Sequence, residues 1–485
     1  MKVKDTRMTR GLRGLLGVML ALAMLLGMLP LPVMADPGDP DALFQSVGAA
    51  KYGTTYYIDA ENGNDNNSGK SPDKAWKNLT KATGTTFLPG DHILLRASSV
   101  WNGQILQPKG NGNAAYPIVI DLYELDGQGK AVYTADQRPV LNGNGTEGIG
   151  EFKRYISAPM MLVNQEYWEV RNLEVTNSPE LSNPEGYKKP GDKQRAGILI
   201  LGYEQDRTFN HFVVKDCYVH DVQTEYYLKM GNAKEYRRLK ACGGIIVLGH
   251  WVDIDGNYVH NAGDHRSTTG FNDVLIEGNS VVRVGLEGIR TKIDSNTAVA
   301  NTFHKTITNL AIRNNYLEDI AGDAIVLSET LGGCVVEGNV SKQACNADYG
   351  THNYAAVWSM SNDNALFQYN EVYGIVYGYN DGEAYDIDMQ CDGVIYQYNY
   401  SHHNSGGFLL LMGDQKNSIV RYNISANDGG GNRGTNADDG GGGAYTYKEQ
   451  SIFHYWNKTD NANMPTIYNN TFYVGDGIST ALFGE

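Results

Sequence analysis

From residue 165 onward the chain repeats one short pattern of alternating apolar and polar positions around a polar marker. It is read as VRNLEV, VKDCYV, IDGNYV, IEGNSV, IRNNYL, VEGNVS, FQYNEV, YQYNYS, VRYNIS and IYNNTF. The markers are Asn172, Asp216, Asn257, Asn279, Asn315, Asn339, Asn370, Asn399, Asn423 and Asn470. Asn257 and Asn279 are 22 residues apart, and Asn315 and Asn339 are 24 apart, about one turn of a three-sided β-coil. Nine markers are followed by a second phrase, a Gly or Ala, then an apolar residue, then alternation: GILIL at Gly197, GIIVL at Gly244, GIRTK at Gly288, AIVLS at Ala324, AVWSM at Ala356, AYDID at Ala384, GFLLL at Gly407, AYTYK at Ala444 and GISTA at Gly477. A single coil cannot bury an apolar face, so each must stack on the next by parallel strand pairing. The pattern predicts an all-β chain: a right-handed, single-stranded parallel β-helix, with an interior ladder formed by its Asn markers.

The pattern also predicts a domain plan. Lys2, Lys4, Arg7, Arg10 and Arg13 precede an apolar run from Leu15 to Leu29 and the small-residue site Val33-Met34-Ala35. Residues 1–35 therefore read as a secretory signal peptide, and 36–54 as a linker. Residues 55–160 are expected to form an N-terminal cap and the first coils, including an amphipathic helix on Trp76, Leu79 and Ala82. Residues 161–485 hold the repeats, and the coil begun at Gly477 suggests a solenoid that continues past Glu485. No later segment approaches the roughly 20 apolar residues of a membrane span. The expected product is an exported monomer with no transmembrane anchor.

Composition changes the picture in two places. The formal net charge is −15, and removing the basic leader makes the rest more acidic still, so nucleic acid is not an expected partner. Five scattered cysteines do not make a disulfide framework; Cys334 and Cys345 could pair, or all could be buried thiols. Asp59, Asn62, Asn64 and Asp65 offer oxygens for calcium, although Asx turns account for them better; no cofactor is otherwise implied.

Candidate chemistry follows from where the insertions fall. The long gaps between the two phrases, around 178–195, 221–242, 343–354, 374–382 and 427–442, all leave the same corner and should frame one cleft. The strand beside it has outward positions Leu199 and Leu201, Ile246 and Leu248, Arg290 and Lys292, Val326 and Ser328, Trp358 and Met360, Asp386 and Asp388, Leu409 and Leu411, and Thr446 and Lys448. Asp386 and Asp388, about 6.6 Å apart along the backbone and facing one way, suit the acid and base of an inverting glycoside hydrolase. Glu287, Asp323 and Glu383 lie at the strand entrance and Asp381 in the insertion that leads to it, and any of them could replace one of the pair. Trp358 is a candidate sugar platform, Arg290 and Lys292 candidate anion or uronate contacts, and His402 and His403 groove-edge contacts.

With these residues in view, the chain resembles the pectin-lyase-like superfamily over roughly residues 55–485. YYIDAENGNDNNSGKSPDKAWKNL and FLPGDHILLRASSVW resemble the opening of secreted bacterial β-helix proteins. DGEAYDIDMQCDGVIYQYNYSHHNSGGFLLL resembles a segment of β-helix chains classed with glycoside hydrolases. The polygalacturonase and pectate-lyase motifs are absent, while Arg290 and Lys292 are similar to the basic pair of chondroitinase-B-like lyases at a different spacing. The resemblance implies an extracellular polysaccharide-degrading enzyme, either a glycoside hydrolase using the carboxylates or a lyase using Arg290 or Lys292. A non-catalytic glycan-binding scaffold is the third reading.

Overall fold

A computed structural model describes residues 44–145, 157–179, 194–224, 241–251, 266–294, 303–346, 354–375, 381–430, 451–456 and 464–484. These residues wind as a right-handed parallel β-helix. Each turn contributes one strand to each of three faces, as in Trp168–Arg171, Glu174–Asn177 and Ala196–Gly202. The first face runs from Thr55–Ile58 to Thr466–Tyr468, and the second is an 11-stranded sheet from Val100–Asn102 to Thr471–Tyr473. The third runs from Met160–Val163 to Ala481–Gly484. Stacking between coils is parallel, for example Val274↔Leu310 on the first face and Val281↔Leu317 on the second, with local register shifts between Thr176 and Asn177 and between Ile307 and Thr308.

Alternation decides what each strand buries. On the third face Ile198, Ile245, Ile289, Ile325, Val357, Tyr385, Leu409 and Phe453 lie on one register line and belong to a single apolar interior cluster. The small residue before that line is forced by close approach: a Cβ at Gly288 would sit 2.4 Å from the Ala324 carbonyl oxygen and 2.7 Å from Leu317. At Gly407, φ is 123° and an added Cβ would lie 2.2 Å from the Ser451 carbonyl oxygen. Only glycine relieves both constraints there.

The interior Asn ladder forms as expected. Asn279, Asn315, Asn339, Asn370, Asn399, Asn423 and Asn470 stack in one column. Each Oδ1 from Asn315 on accepts the Nδ2 and backbone N–H of the Asn one coil before, and each Nδ2 also donates to a carbonyl of the preceding first-face strand. Two markers are corrected. Asn172 and Asp216 sit one residue before the ladder position, which Leu173 and Cys217 fill, and both adopt positive φ at the corner. Asn257 lies outside the described residues.

At the N-terminal end Trp76, Leu79 and Ala82 are buried, but only Leu79–Thr83 is helical, a little over one turn. Phe44–Gln45, inside the expected linker, pairs antiparallel with Thr134–Ala135. The Asx-rich stretch is a set of turns and caps. Asp59 Oδ1 accepts from the backbone of Glu61 and Asn62, and Asp65 Oδ1 from Lys77 and Asn78. All five cysteines are buried free thiols, so Cys334 and Cys345 are not paired. Among the described residues no helix is long and apolar enough to cross a membrane.

Candidate active site

The third face carries the candidate site because its outward positions hold the unusual chemistry. One outward row reads Leu199, Ile246, Arg290, Val326, Trp358, Asp386, Leu410 and His454. Two residues further along each strand lies a second row, which includes Lys292, Ser328, Met360, Asp388, Met412 and Trp456. Two expected members are corrected. Leu409 and Leu411 face the core, because Gly407 pairs with Glu383 and shifts that coil by one residue. Thr446 and Lys448 lie outside the described residues, and the strand that continues the face is Ser451–Trp456, which puts His454 on the row instead.

Asp386 is 5 % exposed. Burial, reinforced by Asp388, Asp381, Glu383 and Asp323, holds its carboxyl well above the ordinary aspartate range. Its Oδ1 makes no hydrogen bond among the described residues. Asp381 and Asp388 are half-buried and reach solvent, whereas Glu383 and Asp323 are enclosed. Two core phenols hold the strand that presents these acids. Tyr396 donates to the Asp386 carbonyl at 2.8 Å, and Tyr385 donates to the carbonyls of Asn370 and Tyr400 at 3.0 and 3.1 Å.

The basic and aromatic candidates have different surroundings from those expected. Arg290 is 2 % exposed, and its guanidinium lies 2.8 Å from Glu287 and 3.7 Å from Asp323, with Trp358 5.4 Å away across the ring face. Its charge is therefore committed to internal carboxylates rather than offered to a ligand. Trp358 is 4 % exposed and packs with Val326, Ala355 and Met360, so it is covered rather than open for stacking. Lys292 is also buried. His402 belongs to the second face, where it meets Glu371 at 3.2 Å and His403 at 3.0 Å; neither histidine joins the acids. Arg195, in the insertion that leads to the strand Ala196–Gly202, is also buried and donates to the Gln223 carbonyl at 2.9 Å.

Sequence reasoning missed His454. Its Nδ1 lies 3.0 Å from Glu383 Oε1, and its Nε2 is buried with no hydrogen bond among the described residues. The signal was present in SIFHYW, whose small first residue and alternation match the second phrase, but AYTYK seven residues earlier matches the Gly-or-Ala rule better. The expected cleft-framing insertions fall largely outside the described residues.

The described residues thus form a right-handed parallel β-helix with a carboxylate-bearing outer face. None of the family models compared matches the chain. It is similar to a lacto-N-biosidase of Bifidobacterium longum subsp. longum, 30% identical over 436 residues that cover 78% of this chain and 26% of that protein. The chain thus spans about a quarter of the length of that curated relative. Crystal structures of a GH136 lacto-N-biosidase from Eubacterium ramulus, the native protein and its selenomethionine derivative, superpose with TM-scores of 0.58 and 0.59. They share 21% identity and cover 87% of this chain and 68% of theirs, which establishes the common fold.

Proposed function

We propose that this chain is a glycoside hydrolase acting on lacto-N-biosides, with the carboxyl cluster around Asp386 as its reaction centre. The observation that carries the reading is a buried carboxyl whose proton affinity is raised by burial and neighbouring acids, beside two half-buried carboxyl groups on the same coil. Groups whose surroundings separate their proton affinities are how one site supplies both an acid and a base. Asp386 gives its proton to the glycosidic oxygen as the bond to the departing sugar breaks. Asp388, or Asp381 on the same coil, supplies the carboxylate that meets the anomeric carbon or its attacking water. The similarity to lacto-N-biosidases supports both the reaction class and the substrate. The lyase reading is less favoured, because Arg290, paired with Glu287 and Asp323, is a poor base. With the leader read in residues 1–35, which lie outside the described residues, the enzyme works outside the cell on a glycan.

Turnover of a chromogenic lacto-N-bioside by the full chain and by Asp386→Asn, Asp388→Asn and Asp381→Asn tests the reading. Asp386→Asn and one of the other two should each lower kcat by about 10²–10⁴-fold without loss of fold. The exposure of Asp381 and Asp388 favours a second assignment, in which those two react and Asp386 is only their neutral neighbour. It is selected if Asp386→Asn stays active while both others are dead. Near-normal turnover by all three variants, or no hydrolysis by the wild type, refutes the proposal.

A further inference from the structure

We infer that His454 and Trp456, with Glu383 as a positioning residue, form a subsite for the sugar one ring beyond the residue at the scissile bond. The inference rests on the hydrolase reading above and adds the substrate length that the site measures.

The register places the two elements. His454 shares the outward row of Asp386, and Trp456 that of Asp388, in each case two coils further along the face. Coils stack about 4.8 Å apart, so the two positions are separated by about 10 Å, the span of a disaccharide lying along the solenoid axis. A glycan whose linkage sits at the acids would therefore set its second ring against Ser451–Trp456.

The chemistry at that point suits a sugar. Glu383 is acceptor-only when ionised, so the 3.0 Å contact places the imidazole proton on Nδ1 and leaves Nε2 as an acceptor in the neutral ring. His454 is 3 % exposed and its Nε2 makes no hydrogen bond among the described residues. Enclosed polar atoms almost always find partners, and exceptions gather where a ligand supplies the missing bond. A sugar hydroxyl is such a donor. Trp456, by contrast, is 43 % exposed, with its ring centroid 6.5 Å from that of His454 and nearly perpendicular to it. An aromatic face beside a hydrogen-bonding atom is the usual means of holding a pyranose, apolar face down and hydroxyls to the side.

Three variants of the full chain, His454→Asn, His454→Gln and Trp456→Ala, test this on a chromogenic lacto-N-bioside, with melting temperature as a control. Asn can keep the bond to Glu383 but has nothing at the place of Nε2, whereas Gln can put a carbonyl oxygen there and loses Glu383. The expected result is a KM raised about tenfold in His454→Asn and in Trp456→Ala, with the loss falling on KM more than on kcat and with partial recovery in His454→Gln. A purely structural histidine reverses the order, with Asn behaving like the wild type and Gln impaired and less stable. That result overturns the subsite, as does an unchanged KM in both His454→Asn and Trp456→Ala. A wild type inert toward the glycoside overturns the hydrolase reading beneath it and is told apart by the absence of any turnover.

Discussion

Replacing Asn339 by alanine should unfold the solenoid locally, at a cost that can be worked from the ladder. Asn339 Oδ1 accepts from Asn315 N at 3.0 Å and from Asn315 Nδ2 at 2.9 Å. Its own Nδ2 donates to the Ile312 carbonyl and to Asn370 Oδ1, both at 2.9 Å. Truncation strands three buried groups: the Asn315 backbone N–H, one Asn315 amide hydrogen and the Ile312 carbonyl. Asn370 Oδ1 keeps the bond from the Asn339 backbone at 3.1 Å. At about 1–3 kcal/mol for each group left unsatisfied, the cost is about 3–9 kcal/mol, a large part of the ~5–15 kcal/mol that usually holds a domain together. Asn470 ends the described ladder and is only half-buried, so water can replace what Asn470→Ala removes, and about 1 kcal/mol is expected. Urea unfolding followed by tryptophan fluorescence measures both variants. Amide exchange should show the Asn339→Ala loss concentrated in the coils around 312–316, 336–342 and 367–373, since each coil touches only its neighbours. Equal costs for the two variants, or less than about 1 kcal/mol for Asn339→Ala, would refute the ladder as a stabilising device.

Further outcomes follow from particular residues. Asp428 accepts from Ser425 Oγ at 2.6 Å, from Ser401, and from Asn404 N and Nδ2 at 3.0 Å, and burial pushes its carboxyl up to about 6. Because the folded state then binds the proton more tightly than the unfolded chain, stability should fall by about 3 kcal/mol as pH rises from about 4 to 6. Asp428→Asn should lose that slope, and a slope unchanged in thermal melts across this range excludes the assignment. Asp386 carries the same sign, so Asp386→Asn should melt higher than the wild type at pH 7 and converge with it near pH 4. Arg290→Ala leaves Glu287 and Asp323 buried without their counter-charge and should cost about 3–5 kcal/mol in urea titrations; a change under 1 kcal/mol would mean the cluster is not an ion pair in solution. Gly407→Ala combines a left-handed backbone with a backbone clash and should lower the melting temperature.

Much of the architecture is written locally. The Asn column, the Gly-or-Ala corner and the period-two alternation of the third face each reflect a constraint that acts within one coil, so the residues report it directly. That is why Arg290, Trp358, Asp386 and Asp388 could be placed on the outward side before any coordinates. Registration between coils is a different quantity, set by which backbone pairs with which. Asn172 and Asp216 are polar markers that nevertheless fall one residue short of the ladder, because Leu173 and Cys217 occupy it. Gly407 pairs with Glu383, turning Leu409 and Leu411 inward, and Ser451–Trp456 continues the face in place of the stretch at Ala444.

The site divides the same way. Composition and spacing alone located a carboxylate cluster on Glu383–Ile387 and the residues flanking it, since D-x-D on a strand must point both acids one way. Only the tertiary structure decided which basic groups are already taken up by internal carboxylates. Arg290 is taken up by Glu287, three residues before it on the same strand, and by Asp323 on the next coil, His402 and His403 lie on another face, and His454 meets a glutamate 71 residues earlier in the chain. The contacts of Arg290 with Asp323 and of His454 with Glu383 run between coils, and are made by residues with no sequence relation to each other. Stacking at fixed spacing brings them together, and among the described residues it leaves Asp386 Oδ1 and His454 Nε2 without a hydrogen bond.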